Sequence, residues 1–135
     1  MSSAVLDASA LLAVLHGERG FERVTPHLRG GLVSAVNYSE VLKKMVERGS
    51  DVVRTRMHLA AFNLQIVAFD EQQAVRAAEI WPECRASGLS AADRACLTLG
   101  MTQQLPVITA DLRMLDADVD VEIEMIRKHS KRKGA

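Results

Sequence analysis

Short apolar segments that run into a carboxylate recur along this chain. Val5–Leu6 is followed directly by Asp7, and Val107–Thr109 is followed after one residue by Asp111. These segments alternate with longer amphipathic stretches, a pattern typical of parallel strands joined by helices. The sequence therefore predicts an α/β fold with a central, mainly parallel sheet flanked by helices on both faces. In such folds the carboxyl ends of the strands open into one crevice, so acids should gather there.

Apolar periodicity, with Gly and Pro as breaks, predicts the individual elements. The predicted strands are residues 3–6, 32–34, 64–69, 106–109 and 121–126, the last an alternating edge strand. The predicted helices are residues 8–15, 21–28, 37–48, 51–62 and 90–103, with a long helix after Asp70 that Trp81 and Pro82 kink and a helical turn at 111–115. Residues 37–48 and 51–62 should form an αα-hairpin.

The charge of the chain is unevenly distributed. Its 17 basic residues balance its 17 acidic ones, but residues 127–135 hold five bases and no acid. We therefore predict a domain over residues 1–126 and a basic C-terminal tail over residues 127–135. The acidic body suits a cation site. The tail could contact phosphates or could simply be a solvated terminus.

Several other classes of protein find no support in the sequence. Cys84 and Cys96 fit no zinc spacing and are too few for a disulfide framework, and the four histidines form no HxH or HExxH pair. The N-terminal residues lack the basic segment of a signal peptide. No uncharged apolar run approaches the roughly 20 residues of a membrane span. A cytoplasmic protein without membrane association is expected.

Four acids from distant segments are the candidate site residues. They are Asp7, Glu40, Asp93 and Asp111. Each has a local structural explanation: the two that follow strands could be helix N-caps or turn residues, and the other two could be the third residue of capping boxes that begin at Asn37 and Ser90. Taken together, however, four acids at one crevice would repel one another unless a divalent cation lay among them, so the pattern predicts a site for a hard metal ion.

Four short motifs resemble those of the PIN domain family, and specifically those of the VapC-type toxins of bacterial toxin–antitoxin pairs. The motifs are Val-Leu-Asp-Ala-Ser-Ala at 5–10, Asn-Tyr-Ser-Glu-Val at 37–41, Leu-Ser-Ala-Ala-Asp-Arg-Ala at 89–95 and Val-Ile-Thr-Ala-Asp at 107–111. Their order and spacing cover nearly the whole chain. By this resemblance the fold is a parallel sheet wrapped by helices, and the activity is metal-dependent cleavage of RNA.

The resemblance also implies roles for individual residues. The four acids match the acidic quartet of the family, and Ser9 and Thr109 match its accessory hydroxyls. With Mg²⁺ or Mn²⁺ as the cofactor, Asp7 and Asp93 are expected to be direct ligands, while Glu40 and Asp111 complete the shell through water. The implied partners are an RNA substrate, a small cognate antitoxin and a second copy of the chain.

The antitoxin is expected to bind the predicted αα-hairpin. The candidate apolar positions are Val41, Leu42, Met45, Val53, Met57 and Phe62, and the alternative for most of them is a place in the core. A basic residue of the antitoxin, ideally an Arg, would then lie among Asp7, Glu40 and Asp93 and replace the cation. Two alternatives stay open: a housekeeping nuclease of the same fold without an antitoxin, and a non-catalytic RNA- or metal-binding module.

Overall fold

The computed structural model describes residues 4–128, which form an α/β fold. The five strands are β1 (Val5–Leu6), β2 (Leu32–Ser34), β3 (Gln65–Val67), β4 (Val107–Thr109) and β5 (Ile123–Met125). The seven α-helices are α1 (Ala8–His16), α2 (Phe21–Val24), α3 (Ala35–Glu47), α4 (Val52–Ala60), α5 (Glu71–Glu79), α6 (Trp81–Cys84) and α7 (Ala91–Gln103). Short 3₁₀ turns cover Thr25–His27, Arg85–Ser87 and Leu112–Asp116.

All the strands of the sheet are parallel, in the order β3-β2-β1-β4-β5. The central strand β1 pairs with β2 on one side and with β4 on the other, so the chain reverses its direction of winding between them. Ligands of open α/β sheets bind at such a switch point, outside the carboxyl ends of the strands. The predicted edge strand is confirmed as β5.

Each face of the sheet carries its own hydrophobic core, which confirms the predicted helices on both faces. Leu6, Val33 and Ile108 belong to a cluster that includes residues of α1, α2, α3 and α4. The alternate strand residues, such as Val5 and Val107, belong to a second cluster with residues of α6 and α7. The alternation follows from the two-residue repeat of a strand, which points successive side chains to opposite faces.

Two predicted helix boundaries are wrong. The helix predicted to begin at Asn37 begins at Ala35, because the Ser34 hydroxyl caps it by accepting a hydrogen bond from the Val36 N–H at 3.3 Å. Glu40 is therefore not the third residue of a capping box. The long helix after Asp70 is not one kinked helix either: it ends at Glu79 with Ile80 as its C-cap, and a separate short helix with Pro82 in its first turn follows.

The α3–α4 hairpin forms as predicted, but only part of its apolar surface is exposed. Val41 is fully buried, so its assignment to a partner groove is wrong. Leu42, Met45 and Phe62 are partly buried and pack against the core. Val53 and Met57 remain 69% and 68% exposed.

The first residues of the basic tail lie against the α1–α2 connection. The Arg127 guanidinium donates to the Arg19 carbonyl at 2.8 Å, and the Arg19 guanidinium donates to the Lys128 carbonyl at 2.6 Å. The rest of the tail lies outside the described residues, so its predicted role stays a prediction. Across residues 4–128, no helix combines the length and apolar character that crossing a membrane requires.

Candidate acidic active site

The four predicted acids line one cleft of about 320 Å³. Asp7 follows β1 and Asp111 follows β4, which puts both at the switch point of the sheet. Glu40 comes from α3 and Asp93 from the first turn of α7. Four segments far apart in sequence thus contribute carboxylates to one concave surface, as expected if the carboxyl ends of the strands and the starts of the following helices meet there.

Asp7 is the most enclosed of the four, with only 4% of its surface exposed. It is the N-cap of α1, and its Oδ1 accepts a hydrogen bond from the Ala10 N–H at 2.9 Å. The same oxygen accepts the Ser9 hydroxyl at 2.7 Å, and Oδ2 accepts the Thr109 hydroxyl at 2.5 Å. The capping role and the place in the cleft therefore coexist in one residue, whose carboxylate is held by three donors.

Ser9 and Thr109 connect α1 to the end of β4. Ser9 Oγ accepts the Ala110 N–H at 2.8 Å, and Thr109 Oγ1 accepts the Asp111 N–H at 2.9 Å. The two hydroxyl oxygens lie 3.2 Å apart. Each hydroxyl thus donates to Asp7 while it accepts a backbone N–H, that of Ala110 for Ser9 and that of Asp111 for Thr109. This network fixes the first acid relative to the strand that carries the last one.

Burial raises the pKa of Asp7 from its ordinary value of 3.8 to about 6. Loss of hydration disfavours the charged carboxylate, and the nearby Asp93 charge adds a smaller effect in the same direction. The hydrogen bonds from Thr109, Ser9 and Ala10 oppose the shift because they stabilise the anion. A carboxylate that costs free energy to ionise in a cleft of like charges is favourably placed to bind a cation.

Asp93 also combines a structural and a cleft position. It forms a reciprocal capping box with Ser90: the Asp93 N–H donates to Ser90 Oγ at 3.1 Å, and the Ser90 N–H donates to Asp93 Oδ2 at 2.8 Å. The predicted capping box at Ser90 is therefore confirmed. Because the same carboxylate lines the cleft, capping fixes its position without removing it from the site.

Asn37 links the helix that carries Glu40 to the helix that carries Asp93. It is 1% exposed, and its Nδ2 donates to the Ala92 carbonyl at 3.2 Å. Its Oδ1 is buried and accepts no hydrogen bond from any described residue. A buried carbonyl oxygen without a donor is uncommon in native proteins. Asn37 is also one of the residues that line the cleft.

Asp111 is bound by the guanidinium of Arg113. Arg113 Nη2 lies 2.6 Å from Asp111 Oδ2, and Nε lies 3.1 Å from Oδ1 and 3.2 Å from Oδ2. The same Nη2 lies 3.7 Å from Asp93 Oδ2. The side chain of Arg113 is 53% exposed, so this contact is at the mouth of the cleft.

The donor chemistry of the cleft fits a hard divalent cation. Carboxylate oxygens are ligands that Mg²⁺ and Mn²⁺ prefer, and four residues with carboxylates line the cleft. Arg113 already bridges two of these acids with positive charge. Within residues 4–128, no three His, Cys, Asp or Glu side chains are grouped closely enough to hold a metal ion. The roles of the individual acids therefore remain predictions.

Two cationic residues of the cleft, Lys44 and Arg113, were absent from the sequence-based site. Lys44 lies four residues after Glu40 on α3, so the helical repeat alone would have put both on one face. Arg113 is two residues after Asp111. This separation permits contact between the two side chains but does not indicate where the Arg113 side chain points.

A family model for the PIN domain matches residues 4–120 of the chain. No curated protein matches it significantly in sequence. Among solved structures, the toxin–antitoxin complex from Klebsiella pneumoniae is similar, with 20% identity, a TM-score of 0.76 and coverage of 94% of this chain and 100% of that one. DNA-bound VapBC from Salmonella typhimurium gives 20% identity and a TM-score of 0.72, with coverage of 94% and 100%. VapBC-1 from nontypeable Haemophilus influenzae gives 15% identity and a TM-score of 0.69, with coverage of 93% of this chain and 98% of that one.

Proposed function

Since this chain belongs to the PIN domain family, whose members are nucleases that generally use divalent metal ions, we propose that it is the endoribonuclease toxin of a type II toxin–antitoxin pair. The observation that carries the proposal is the convergence of Asp7, Glu40, Asp93 and Asp111 on one cleft at the switch point of the sheet. The substrate is RNA, and the reaction is hydrolysis of its phosphodiester bonds.

We assign Asp7 and Asp93 as direct ligands of Mg²⁺ or Mn²⁺, with Glu40 and Asp111 completing the shell through water. When bound, the cation lowers the pKa of a water molecule and neutralises the charge that develops on the attacked phosphate. A cluster of acids alone would repel RNA, so the cation is also what makes the cleft compatible with a phosphodiester.

The residues of the chain have three further tasks in this proposal. Ser9 and Thr109 hold the carboxylate of Asp7 in one orientation through bonds of 2.7 and 2.5 Å. Either Glu40 or Asp111 orients the attacking water and accepts its proton. Lys44, which is exposed at the edge of the cleft, attracts the phosphate backbone of the substrate.

We propose that a small cognate antitoxin binds beside the α3–α4 hairpin. A cavity of about 430 Å³ lies there, lined mainly by Tyr38, Val53, Met57, Leu64 and Ile66. Two of these side chains are the most exposed apolar ones of the hairpin, Val53 and Met57. An apolar helix of a partner suits such a surface. The similar structure from Klebsiella pneumoniae is itself a toxin–antitoxin complex.

Inhibition by the antitoxin is proposed to displace the cation. An Arg of the antitoxin placed among Asp7, Glu40 and Asp93 would form bidentate bonds with carboxylates that the cation needs. Titrating the purified antitoxin against metal binding to the toxin tests this directly, because tight association with unchanged metal affinity would contradict displacement. A homodimer is the proposed assembly of the toxin, and sedimentation of the isolated chain tests it.

Two alternatives make different predictions. A housekeeping nuclease would cleave RNA but would bind no product of an adjacent small reading frame. A non-catalytic RNA- or metal-binding module would bind without cleaving, although clustered acids facing phosphates give a pure RNA-binding protein no advantage.

The proposal is tested by incubating total RNA with the purified protein, in Mg²⁺ or Mn²⁺ and in excess chelator, and mapping the new RNA ends. Discrete internal ends that appear only with the cation are the expected result. Ends that form equally in chelator would contradict a metal-dependent nuclease, and binding without cleavage would favour the non-catalytic module.

A further inference from the structure

We propose that Arg113 is a tethered cation that competes with the divalent ion for Asp111 and Asp93, so that loading the site is an exchange of one positive charge for another. This inference rests on the cation site of the proposed function and concerns its regulation. It is drawn from the position of Arg113 between two acids from different parts of the chain, one that follows β4 and one in α7.

Arg113 hydrogen-bonds to both carboxylate oxygens of Asp111. Within Asp111, Oδ1 accepts both the backbone N–H of Arg113 at 3.0 Å and its Nε at 3.1 Å, while Oδ2 accepts Nη2 at 2.6 Å. Asp111 is also the N-cap of the turn that contains Arg113. The backbone bond holds the start of the side chain next to its partner, so the guanidinium loses little additional freedom when it binds.

The guanidinium also reaches the element that carries Asp93. Arg113 Nη1 donates to the Gly88 carbonyl at 2.9 Å, in the connection that precedes α7. Its Nη2 lies 3.7 Å from Asp93 Oδ2. One planar group therefore spans from the end of β4 to the start of α7. It supplies positive charge to both acids without a metal ion.

Exchange follows from the chemistry of these groups. Arg stays protonated at any pH that a protein tolerates, so it cannot leave by losing its charge. A cation that takes oxygens of Asp111, directly or through water, requires lone pairs that now accept from Arg113. Next to Asp93 the same cation would replace the guanidinium charge, which lies 3.7 Å from Oδ2. The Arg113 side chain is half exposed, which screens the contact and lets the guanidinium move into solvent. Arg113 should therefore weaken cation binding moderately rather than block it.

Lys44 provides a matched control. It lines the same cleft and carries the same charge, but it comes from α3 and is exposed. Removing either residue takes one positive charge from the lining of the cleft. Of these two described cations, Arg113 is the one that hydrogen-bonds to a cleft acid, so its removal should also abolish direct competition for Asp111.

The experiment is calorimetric titration of Mn²⁺, and separately Mg²⁺, into the metal-free wild-type protein and into Arg113→Gln, Arg113→Met, Lys44→Gln and Asp93→Asn. Both Arg113 variants should bind the cation about three- to tenfold more tightly than wild type. The increase in cation affinity of Lys44→Gln should be less than half as large as that of the Arg113 variants. Both Arg113 variants lose the hydrogen bond to the Gly88 carbonyl. Circular dichroism therefore establishes that each variant is folded.

The outcomes separate the two proposals. Wild-type binding that is lost in Asp93→Asn, combined with equal affinities for wild type and the Arg113 variants, would overturn the exchange and leave the metal site intact. A gain in Lys44→Gln as large as that in the Arg113 variants would overturn it as well, since net charge alone would then explain the effect. If neither wild type nor any Arg113 variant binds a cation, both the metal site and the exchange are wrong.

Discussion

Thr109 Oγ1 lies 2.5 Å from Asp7 Oδ2, so a hydroxyl at the end of β4 donates to the carboxylate that follows β1. The two residues are 102 positions apart in sequence. Their contact exists because β1 and β4 are neighbours in a parallel sheet with their carboxyl ends at the same edge. It locks the most buried acid of the cleft in place and lowers the free energy of its charged form.

Replacing Thr109 with Val should cost stability and activity. The change keeps the shape of the side chain but removes the donor to Asp7 and the acceptor for the Asp111 N–H. We expect a loss of about 1–3 kcal/mol in the free energy of unfolding and a marked fall in RNA cleavage. Urea unfolding and a cleavage assay measure the two effects.

Thr98→Val is the matched control. Thr98 is also fully buried, but its hydroxyl oxygen has no hydrogen-bond partner among the described residues. Its replacement should change the free energy of unfolding by less than about 0.5 kcal/mol, or increase it. Equal losses in the two variants would mean that the Thr109–Asp7 bond contributes nothing specific.

The stability of the metal-free protein should depend on the protonation of Asp7. Folding raises the pKa of this carboxyl from 3.8 to about 6, so the fold favours the protonated form. Its stabilising contribution is complete below about pH 4 and is lost as the pH rises through about 6. In chelator, the free energy of unfolding of Asp7→Asn, relative to that of wild type, should therefore increase by up to about 3 kcal/mol between pH 4 and pH 8. Urea unfolding at both pH values measures this, and a difference that does not change with pH would contradict it.

Mg²⁺ or Mn²⁺ should raise the melting temperature, because a ligand of the native state stabilises it by mass action. Asp93→Ala should remove most of that increase. Because Asp93 also caps α7, the matched variant is Ser90→Ala, which breaks the same capping box and keeps the carboxylate. Without metal, the free energy of unfolding of each variant should be about 1 kcal/mol lower than that of wild type. Thermal unfolding with and without the cation separates the roles: an unchanged metal-induced increase in Asp93→Ala would leave Asp93 with only its capping function.

Met57→Glu should weaken binding of the antitoxin at least about tenfold and leave RNA cleavage unchanged, because it puts a charge in the apolar cavity beside α4. Val75→Glu is the control, since Val75 is 56% exposed on α5, away from that cavity. Surface plasmon resonance with the purified antitoxin measures both variants. Equal effects of the two substitutions, or no effect of either, would be evidence against the proposed surface.

Most of the fold follows from local signals in the sequence. The strands are short apolar runs, and caps such as Asp7, Asp51, Asp70 and Ser90 mark where helices begin. Two boundaries were predicted wrongly for local reasons. Ser34 both ends β2 and caps α3, so the helix begins before its amphipathic pattern is visible. At Ile80 the chain ends one helix and begins another, where a kink was expected.

The site was only partly predictable. The alternation of strands and helices indicated that the four acids share a crevice, because parallel strands end at one edge. The bridge from Arg113 to Asp93 depends on how α7 packs beside β4, and no local pattern encodes that distance. The free oxygen of Asn37 is likewise visible only after α3 and α7 are packed together.

The central claim is that Asp7 belongs to a metal-dependent ribonuclease site, and the most direct test is cleavage of RNA by wild type and Asp7→Asn in Mg²⁺. The substitution keeps the shape of the side chain and removes its charge, and Thr109 and Ser9 can still hydrogen-bond to an amide. We predict that Asp7→Asn melts at or above the wild-type temperature in chelator, because the amide carries no buried charge to desolvate and repulsion among the acids is relieved, and that it does not cleave. Cleavage by folded Asp7→Asn at the wild-type rate would contradict the account.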